Sequence, residues 1–464
     1  MRASVLAAQD IAGAWNLSSP GPLTALRKLF GTDGVRGVAG VDLTDDLARD
    51  LGAAAAAVAG PGCTVVLGRD TRESGPALEE ALVEGIVSGG GVARTAGVIP
   101  TPGVAMLVGR LGAELGCVIS ASHNPYEDNG IKFLGADGRK LPDAAEADIE
   151  AAMGSSAGPG GGRVEPVENA VERYVDWLAT TYGDRVRGNR QVLFDCANGA
   201  AAAVAPLLAE KLGLGAAFIG AAPDGRNINA AVGSMHFDTV ARAVQDAGAE
   251  CGIAFDGDAD RCLAVDSRGR PANGDAIIAA LAIDRRRHDP LAGHRVVVTS
   301  MTNLGFHRLM REYGIDVEVT DVGDRYVLER MLETGAMLGG EQSGHVVDLE
   351  HHTTGDGLAT ALMLLGVLDR LDLSMAGVVD LVQPFPQKLV AVAADRTALE
   401  GADRIWQEVR AAEAKLGKDG RVVLRASGTE PVVRVMVEAL DATECERLCD
   451  HLADVVAAEI GGTA

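Results

Sequence analysis

The chain has 464 residues, of which 47% are hydrophobic and 3% aromatic, and its 42 basic and 65 acidic residues give a net charge of −23. This acidic balance argues against nonspecific binding to nucleic acid or to an anionic membrane, so we expect neither as a partner. The longest small-apolar run, residues 51–60, is too short for a membrane span, which needs about 20 residues. Seven widely spread cysteines predict reduced thiols and a cytoplasmic location.

Strand and helix patterns alternate along the chain after an N-terminal stretch, residues 1–26, which we interpret as a flexible extension. The alternation starts near Thr64 and is typical of an α/β layer. A Gly- and Ser-rich linker at 154–162 closes the first unit, and the pattern changes to α+β after Pro384 and Pro386. The predicted α/β fold therefore has three similar α/β domains and a smaller α+β domain, at 27–162, 163–267, 268–383 and 384–464.

The hexapeptide SASHNP, residues 120–125, follows the apolar run CVI. Because Asn-Pro favours turn initiation, an ordinary turn explains this stretch as readily as a nucleophile held at a strand end. Ser122 does not belong to a GxSxG elbow, so a hydrolase triad is not indicated. The hexapeptide alone does not decide between a turn and a nucleophile.

Three aspartates, Asp256, Asp258 and Asp260, occur in DGDADR after the apolar run GIAF. In an extended chain they would face one side, where a hard divalent cation such as Mg²⁺ or Ca²⁺ relieves their repulsion. An EF-hand does not fit, because Arg261 and Ser267 occupy its glycine and glutamate positions. A solvated acidic turn remains the alternative. Since three protein oxygens leave Mg²⁺ to complete its shell with water and phosphate, the motif predicts a phosphate partner.

The loop RASGTEP, residues 425–431, joins two strand patterns near the C-terminus. Its hydroxyl and backbone N–H groups, with the guanidinium of Arg425 and Arg434 as a candidate second one, suit a phosphate that is bound but not transferred. An ordinary hairpin turn explains the loop equally well.

The stretch GGEQSGH, residues 339–345, places Glu341, Ser343 and His345 at alternate positions. In an extended chain these side chains would share one face, where a carboxylate and a hydroxyl bind sugar hydroxyls and a histidine moves protons. Taken alone, a glycine-rich turn is the simpler interpretation.

Two pairs of chemically reactive side chains are assigned no function. Cys445 and Cys449 lie four residues apart on a predicted helix, and we expect inert buried thiols because no second metal-binding pair matches them. His351 and His352 are adjacent and are expected to face solvent.

Together, these stretches resemble the α-D-phosphohexomutase superfamily, whose motifs occur in the same order: FGTDGVRG, SASHNP with NGIKF, DGDADR, GGEQSGH and RASGTEP. The resemblance extends from about residue 27 to the C-terminus, and the bacterial phosphoglucosamine mutases match best. GTDG replaces a tyrosine-containing version, glutamine precedes the serine of GEQSGH, and RASGTEP has glycine where several relatives carry asparagine. GSMHF, residues 233–237, departs from the GSTHP that relatives often have. The resemblance implies four domains around a central cleft.

The resemblance also implies roles for individual residues. Ser122 matches the serine that is phosphorylated in the active enzyme, and one Mg²⁺ per subunit is expected on Ser122, Asp256, Asp258 and Asp260. The other expected catalytic residues are Lys132, His345, Arg36 and Arg261. The expected substrate-binding residues are Glu341, Ser343, His123, Arg425, Ser427, Gly428, Thr429 and Arg434.

The implied reaction interconverts glucosamine 6-phosphate and glucosamine 1-phosphate, with glucosamine 1,6-bisphosphate as intermediate and activator. Its product would feed the synthesis of UDP-N-acetylglucosamine and cell-wall precursors. A kinase or autophosphorylation is expected to prime Ser122, and a homodimer is kept as a candidate assembly. The alternatives are a phosphomannomutase or phosphoglucomutase of the same superfamily, and a Mg²⁺-dependent sugar phosphatase.

Overall fold

The computed structural model describes residues 29–31, 33–154, 160–187, 190–289, 292–427 and 432–461. The predicted N-terminal extension and the centre of the predicted linker lie outside these ranges. Four β-sheets follow one another along the described chain, each with its own helices.

The first sheet contains both parallel and antiparallel strands. Its strands are β1 (Val35–Val38), β2 (Thr64–Arg69), β3 (Val92–Val98), β4 (Leu115–Ile119), β5 (Asp128–Gly135) and β6 (Arg163–Pro166). They lie in the order β1-β5-β4-β2-β3-β6. The helices are α1 (Asp45–Ala59), α2 (Gly75–Ser88), α3 (Thr101–Leu111) and α4 (Asp143–Ala152). Both faces are covered, because Val65 of β2 joins a core with α1, α2 and α4, whereas Val66 joins a core with α3.

The second sheet places DGDADR in a tight connection. Its strands are β7 (Gln191–Asp195), β8 (Gly215–Ile219), β9 (Cys251–Phe255), β10 (Cys262–Asp266) and β11 (Pro271–Ala272), in the order β11-β10-β9-β7-β8. The accompanying helices are α5 (Ala170–Tyr182), α6 (Ala201–Leu212) and α7 (Phe237–Ala247). Because β9 and β10 are antiparallel, residues 256–261 form the connection between them.

The third sheet places GGEQSGH in a similar position. Its strands are β12 (Arg295–Thr299), β13 (Asp316–Thr320), β14 (Leu338–Gly340) and β15 (Val346–Asp348), in the order β13-β12-β14-β15. The helices are α8 (Gly274–His288), α9 (Leu304–Glu312), α10 (Asp324–Thr334), α11 (Gly357–Arg370) and α12 (Met375–Leu381). Since β14 and β15 are antiparallel, residues 341–345 connect them.

The last unit is a small antiparallel sheet with two helices. Its strands are β16 (Gln387–Ala393), β17 (Gly420–Ala426) and β18 (Val432–Ala439), in the order β16-β18-β17. Its helices are α13 (Asp403–Leu416) and α14 (Ala442–Ile460). The predicted fold class, three α/β domains followed by a smaller α+β domain, is confirmed.

One short strand lies on the other side of a predicted domain boundary. Residues 163–166 were assigned to the second domain, but β6 pairs in parallel with β3 and is the edge of the first sheet. The strand is mostly exposed and contains Arg163, Glu165 and Pro166, so it carries no hydrophobic alternation that reveals it.

Small side chains compensate for the scarcity of aromatic residues. A Cβ added to Gly85 of α2 would lie 2.0 Å from the carbonyl oxygen of Arg49 in α1, so these two helices pack in direct backbone contact. One apolar core joins the first three units, through residues such as Val104, Phe194 and Ile278. The last unit has a separate core. No helix in the described part of the chain is long and apolar enough to span a membrane.

Candidate active site

Polar loops from all four units line a single cleft. They follow the carboxyl ends of β4, β9, β14 and β17 and carry SASHNP, DGDADR, GGEQSGH and RASGTEP. In α/β proteins ligands bind preferentially beyond such strand ends. The cleft has a volume of about 630 Å³, and the predicted site residues that line it are Arg36, Ser122, His123, Lys132, Asp260, Arg261, Glu341, His345, Arg425, Ser427 and Arg434.

Ser122 is held in an unusual backbone conformation at the end of β4. Its φ of 51° is left-handed, which is uncommon for a residue with a side chain, and only 4% of the residue is exposed. Its N–H donates to Ser120 Oγ at 2.9 Å, and the Ser120 hydroxyl donates to Asp70 Oδ2 at 2.7 Å. The serine is therefore fixed by the surrounding structure rather than placed in a free turn.

A fully buried arginine clamps this loop from beneath. Arg72 forms an ion pair with Asp70 at 2.9 Å. Its Nη2 donates to the carbonyl oxygens of Ser122 and Asn124 at 3.0 and 2.9 Å, and its Nη1 donates to the carbonyl of Asp128 at 2.9 Å. Arg72 thus donates to three backbone carbonyls of this loop and fixes its path.

The aspartate loop of the second unit contacts Ser122 directly. The Ser122 hydroxyl donates to Asp256 Oδ2 at 2.6 Å. Asn229 Nδ2 donates to the carbonyl oxygens of Ser122 and Asn124, each at 2.9 Å. A Cβ added to Gly257 would lie 2.4 Å from the Ser122 carbonyl oxygen, so the two loops approach at a distance that only glycine permits.

The three aspartates converge, but not by the expected extended conformation. Residues 256–260 form a turn, in which Ala259 has a left-handed φ of 56°. The prediction of an extended chain is therefore wrong here. The turn nevertheless gathers Asp256, Asp258 and Asp260, whose nearest ligand atoms lie within 4.8 Å of one another.

Basic and hydroxyl groups hold two of these carboxylates ionised. Asp258 Oδ2 accepts hydrogen bonds from Lys132 Nζ at 2.8 Å and Thr101 Oγ1 at 2.6 Å. Burial raises the pKa of Asp258, but Lys132 and Thr101 outweigh it and hold the pKa below its usual value. Burial is likewise outweighed at Asp260, whose pKa is well below its usual value because of His345, at 3.6 Å, and Lys132. Although burial opposes it, Asp260 raises the pKa of His345 to about 9.

The third aspartate, Asp256, indicates that the cluster lacks positive charge. Burial, together with Asp260 and Asp258, raises the pKa of Asp256 well above its usual value. Asp258 Oδ1 and Asp260 Oδ1 are buried without a hydrogen-bond partner. The cluster thus offers carboxylate oxygens without hydrogen-bond partners next to a carboxyl whose pKa is raised. A hard divalent cation prefers such an all-oxygen donor set, so these residues fit such an ion.

The GGEQSGH stretch is a turn and not an extended segment. Gly344 N–H donates to the Glu341 carbonyl at 3.0 Å, and His345 then pairs with Arg261 in an isolated antiparallel bridge. Glu341 and His345 line the cleft, whereas Ser343 does not, and its buried hydroxyl has no hydrogen-bond partner. The expectation that all three side chains share an extended face is wrong, because the turn separates Ser343 from the other two.

Two arginines face one another on the last sheet. Arg425 of β17 lies opposite Arg434 of β18, and both line the cleft with Ser427. Burial and the charge of Arg434 lower the pKa of Arg425. Like charges placed opposite one another on a sheet are unfavourable, so this pair is suited to an anion. The predicted contacts Gly428 and Thr429 lie outside the described residues.

The cleft is rich in positive charge although the whole chain is acidic. Its lining cations are Arg36, Lys132, Lys140, Arg261, Arg425 and Arg434, and its lining acids are Asp33, Asp260, Asp324 and Glu341. Burial, Arg261 and Arg36 lower the pKa of His123, whose Nδ1 lies 3.2 Å from Ser122 Oγ. The cleft therefore attracts anions in a protein whose surface repels them.

Sequence reasoning missed the residues that position the predicted ones. Asp70 and Arg72 lie in the polar segment GRDTRES, at the carboxyl end of β2. Because β2 belongs to the same sheet as the strand before SASHNP, this polar segment was the signal available in the sequence. Thr101 begins α3 and Asn229 lies in the loop before α7, and neither belongs to a recognisable motif. Their role depends on contacts across domains.

The adjacent histidines do not both face solvent, so that prediction is wrong. His352 is buried: its Nε2 lies 3.0 Å from the Pro102 carbonyl, and its Nδ1 accepts from Thr353 N–H at 2.9 Å. Burial lowers the pKa of His352 to about 4. His351 is partly exposed and lies 2.9 Å from Asp348 Oδ2. The turn after β15 brings both rings against the protein, which adjacency in an extended chain does not reveal.

The seven cysteines are all buried and free, including Cys445 and Cys449. The thiols of these two contact backbone carbonyls, Cys445 that of Val437 at 3.1 Å and Cys449 that of Val435 at 3.6 Å. The prediction that this pair is buried is confirmed.

Comparison with known proteins identifies the family. Four models of the phosphoglucomutase/phosphomannomutase family match in order: alpha/beta/alpha domains I, II and III at residues 27–157, 172–269 and 273–385, and the C-terminal domain at 388–455. The chain belongs to the phosphoglucomutase/phosphomannomutase family. The enzymes of this family are phosphohexose mutases, so the chain is an isomerase, and the predicted superfamily is confirmed.

Relatives within this family are named phosphoglucosamine mutase. That of Rubrobacter xylanophilus is 49% identical over 442 residues, which are 93% of this chain and 98% of the relative. That of Thermobifida fusca is 47% identical over 446 residues, which are 94% and 99% of the two chains. The motifs indicated the phosphoglucosamine mutases, and these relatives have that name.

Solved structures of the family share the fold. A phosphoglucomutase/phosphomannomutase family protein from Burkholderia thailandensis superimposes with a TM-score of 0.80 at 24% identity, over 94% of this chain and 98% of that one. The N-acetylphosphoglucosamine mutase of Aspergillus fumigatus, solved with GlcNAc-6P and magnesium, gives a TM-score of 0.65 at 18% identity, over 93% and 96%.

Proposed function

We propose that the chain is a phosphoglucosamine mutase, which interconverts glucosamine 6-phosphate and glucosamine 1-phosphate through glucosamine 1,6-bisphosphate. The observation that carries this proposal is the Ser122 hydroxyl, 2.6 Å from Asp256, in a cleft that Arg425 and Arg434 also line. One end of such a cleft can transfer a phosphoryl group while the other end holds a second phosphate. The names of the relatives support glucosamine as the sugar.

Asp256, Asp258 and Asp260, together with phosphorylated Ser122, would hold one Mg²⁺. The all-oxygen donor set and the unpartnered oxygens of Asp258 and Asp260 support this assignment. When bound, the cation would offset negative charge on the transferring phosphoryl group.

Phosphoryl transfer depends mainly on positioning and on charge compensation, and the residues around Ser122 provide both. In the first half-reaction the P–O bond to Ser122 Oγ breaks as a bond to the free sugar hydroxyl oxygen forms, and one proton passes in net from that hydroxyl to Ser122 Oγ. Lys132 and His345 are the proposed proton-transfer residues: because both are protonated near neutral pH, one of them would donate a proton to the departing Ser122 Oγ and then take up the proton of the sugar hydroxyl. Arg36 and Arg261 would offset charge on the phosphoryl oxygens. In the second half-reaction the P–O bond to the other sugar oxygen breaks as a bond to Ser122 Oγ forms, and the proton passes back from Ser122 Oγ to that sugar oxygen.

The rest of the cleft would hold the sugar and the phosphate that is not transferred. Glu341 would accept hydrogen bonds from sugar hydroxyls, and we keep His123 and Ser343 as proposed contacts, the latter requiring movement of its turn. The proposed anchoring residues are Arg425, Ser427, Gly428, Thr429 and Arg434. Because the bisphosphate must reverse between half-reactions, this anchor has to accept either end of the sugar.

Several properties complete the proposal. The first phosphoryl group on Ser122 would come from a kinase or from autophosphorylation. Seven buried free thiols support a reducing, cytoplasmic compartment. The product would feed UDP-N-acetylglucosamine and cell-wall precursor synthesis, and a homodimer is the candidate assembly.

A substrate panel tests the reaction. Purified enzyme with Mg²⁺ is assayed on glucosamine, glucose and mannose 1-phosphates, and we expect the highest kcat/KM for the glucosamine compound. Preference for glucose or mannose phosphate would contradict the proposed sugar. Release of inorganic phosphate without isomer would instead indicate a sugar phosphatase.

A pair of serine variants tests the proposed nucleophile. Ser122→Ala should abolish isomerisation, whereas Ser88→Ala, at a helix end in the first unit, should retain it. Normal turnover by folded Ser122→Ala protein would refute the phosphoserine mechanism.

A further inference from the structure

Two neighbouring carboxylates on one wall of the cleft form no ion pair with the described residues. Asp324 begins α10, Glu341 follows β14, and both line the cleft. The Gly323 N–H, one residue before Asp324, donates to Glu341 Oε1 at 3.1 Å, so the two acids are adjacent. Within the part of the chain that the structure describes, neither acid closes an ion pair with a lysine, arginine or histidine.

The other acids that line the cleft are paired. Asp33 lies 3.5 Å from Arg36, and Asp260 lies within 3.9 Å of both Lys132 and Arg261. Asp324 and Glu341 are therefore the lining acids without an ion pair among the described residues, although the charge of His345 acts on both of them.

The two unpaired acids are not equivalent. Glu341 is held by the Gly323 N–H, and burial raises its pKa, with the charge of Asp324 adding to the effect. Arg261 and His345 act on Glu341 in the opposite direction. Asp324 is only half-buried, and its Oδ1 accepts a hydrogen bond from Arg325 N–H at 2.8 Å. Asp324 is thus the carboxylate that is better placed to receive a cation from the ligand.

The proposed substrate carries a single cationic group, the amine on C2 of the sugar, which is protonated near neutral pH. We infer that Asp324 receives this ammonium group and makes the cleft selective for amino-sugar phosphates over their C2-hydroxyl counterparts. This inference rests on the proposed function. A hydroxyl at the same position would bring no positive charge to Asp324, so a glucose phosphate gains less from this wall.

The test compares two sugars in wild-type and Asp324→Asn enzyme. Asparagine keeps the size of the side chain and the oxygen that accepts from Arg325, so the helix start is preserved. We measure kcat/KM for glucosamine 1-phosphate and glucose 1-phosphate, each with its bisphosphate and Mg²⁺. The glucosamine-to-glucose ratio should fall about 10- to 100-fold, the worth of a charge-assisted hydrogen bond. Asp33→Asn, which also removes one cleft carboxylate, should leave this ratio unchanged.

Binding provides a readout that does not depend on turnover. In a Ser122→Ala background, titration calorimetry should show that Asp324→Asn weakens glucosamine 1-phosphate and leaves glucose 1-phosphate nearly unaffected. An unchanged ratio, or an equal loss for both sugars, would overturn the role of Asp324 while leaving the proposed function intact. A wild-type enzyme that turns over glucose 1-phosphate but not glucosamine 1-phosphate would overturn the proposed function instead.

Discussion

The Ser122 loop and the anchoring arginines serve one cleft but are held in different ways. The Ser122 carbonyl accepts hydrogen bonds from Arg72 of the first unit and Asn229 of the second. Arg425 and Arg434 lie on a sheet whose apolar core is separate from the core that joins the first three units. The proposed bond-breaking end of the cleft is thus fixed by more than one unit, whereas the two arginines proposed to hold a phosphate belong to one unit.

Polar contacts join the last unit to the third. Arg421 Nη2 donates to the Thr302 carbonyl at 2.6 Å, and Asn303 Nδ2 donates to Glu438 Oε1 at 3.0 Å. A small polar contact between separately packed units allows rigid-body movement more readily than a shared apolar core does. This difference suits a reaction in which the site of transfer stays fixed while the anchor releases and accepts a reversed intermediate.

The largest loss of kcat is expected for Asp256→Asn, at the end of the cleft that contains Ser122. This change removes one charge from the proposed metal ligands and a hydrogen-bond acceptor of Ser122, so kcat should fall by about 10³-fold or more. Steady-state kinetics across a Mg²⁺ titration measure the effect, with the exposed Asp316→Asn as control. Near-normal kcat in folded Asp256→Asn protein would mean that the carboxylate is not part of the reacting site.

The next largest effect concerns the clamp beneath Ser122. Arg72→Met leaves Asp70 buried without its partner, and the free energy of unfolding should fall by about 3–5 kcal/mol. Urea unfolding monitored by circular dichroism measures this loss. Arg226→Met is the matched control, because Arg226 pairs with Glu73 on the surface and its removal should matter little. Equal stability of the two variants would show that the clamp is not what holds the loop.

At the anchoring end the effect should appear in substrate binding. Arg425→Ala removes a cation facing the proposed phosphate site, so KM should rise by about 10- to 100-fold while kcat changes less. The exposed Arg404→Ala in the same unit is the control. A large fall in kcat with unchanged KM would place Arg425 at the reacting group and erase the proposed division between the two ends.

The motifs predicted most of the described residues that meet in the cleft, with Ser343 as the exception, but not how the chain brings them there. The two-residue period of an extended chain was applied to 256–260 and 341–345, and both stretches are turns. Left-handed Ala259 in the first and Gly344 in the second depend on the backbone packed around them, which a local pattern does not contain. The aspartates converge nonetheless, because a tight turn also places alternate side chains together.

The residues that position the Ser122 loop could not be predicted from the sequence, for a different reason. Arg72 and Asn229 are 157 residues apart in the chain, from 229 − 72, yet both donate to the Ser122 carbonyl. Nothing in either segment alone indicates this shared target. The fold class, in contrast, followed from strand and helix alternation, which is a local property that most of the chain displays.

A smaller effect, away from both ends, is expected for the pH dependence of stability. His352 has a pKa of about 4 when folded, below its usual 6.5, so its contribution is present above pH 6.5 and is lost as pH falls toward 4. The groups near its ring are Asp356, Asp348 and His351, and burial raises the pKa of Asp356 to about 6, which acts in the opposite direction. The variant His352→Gln should therefore lose less unfolding free energy than wild type between pH 6.5 and 4, by about 2–3 kcal/mol.

Thermal or urea unfolding across this pH range checks the difference between the two proteins. Asp356 and Asp348 are present in both, so subtraction isolates the histidine. Parallel stability profiles for wild type and His352→Gln would mean that the buried ring does not titrate as its surroundings require.

The central claim is that Ser122 carries the phosphoryl group during turnover, and mass spectrometry tests it most directly. Unphosphorylated enzyme is incubated with glucosamine 1,6-bisphosphate and Mg²⁺, then analysed intact and as peptides. We predict a gain of one phosphoryl group, located on Ser122 and lost again when glucosamine 6-phosphate is added. A phosphoryl group on another residue, or an active enzyme that never carries one on Ser122, would contradict the account.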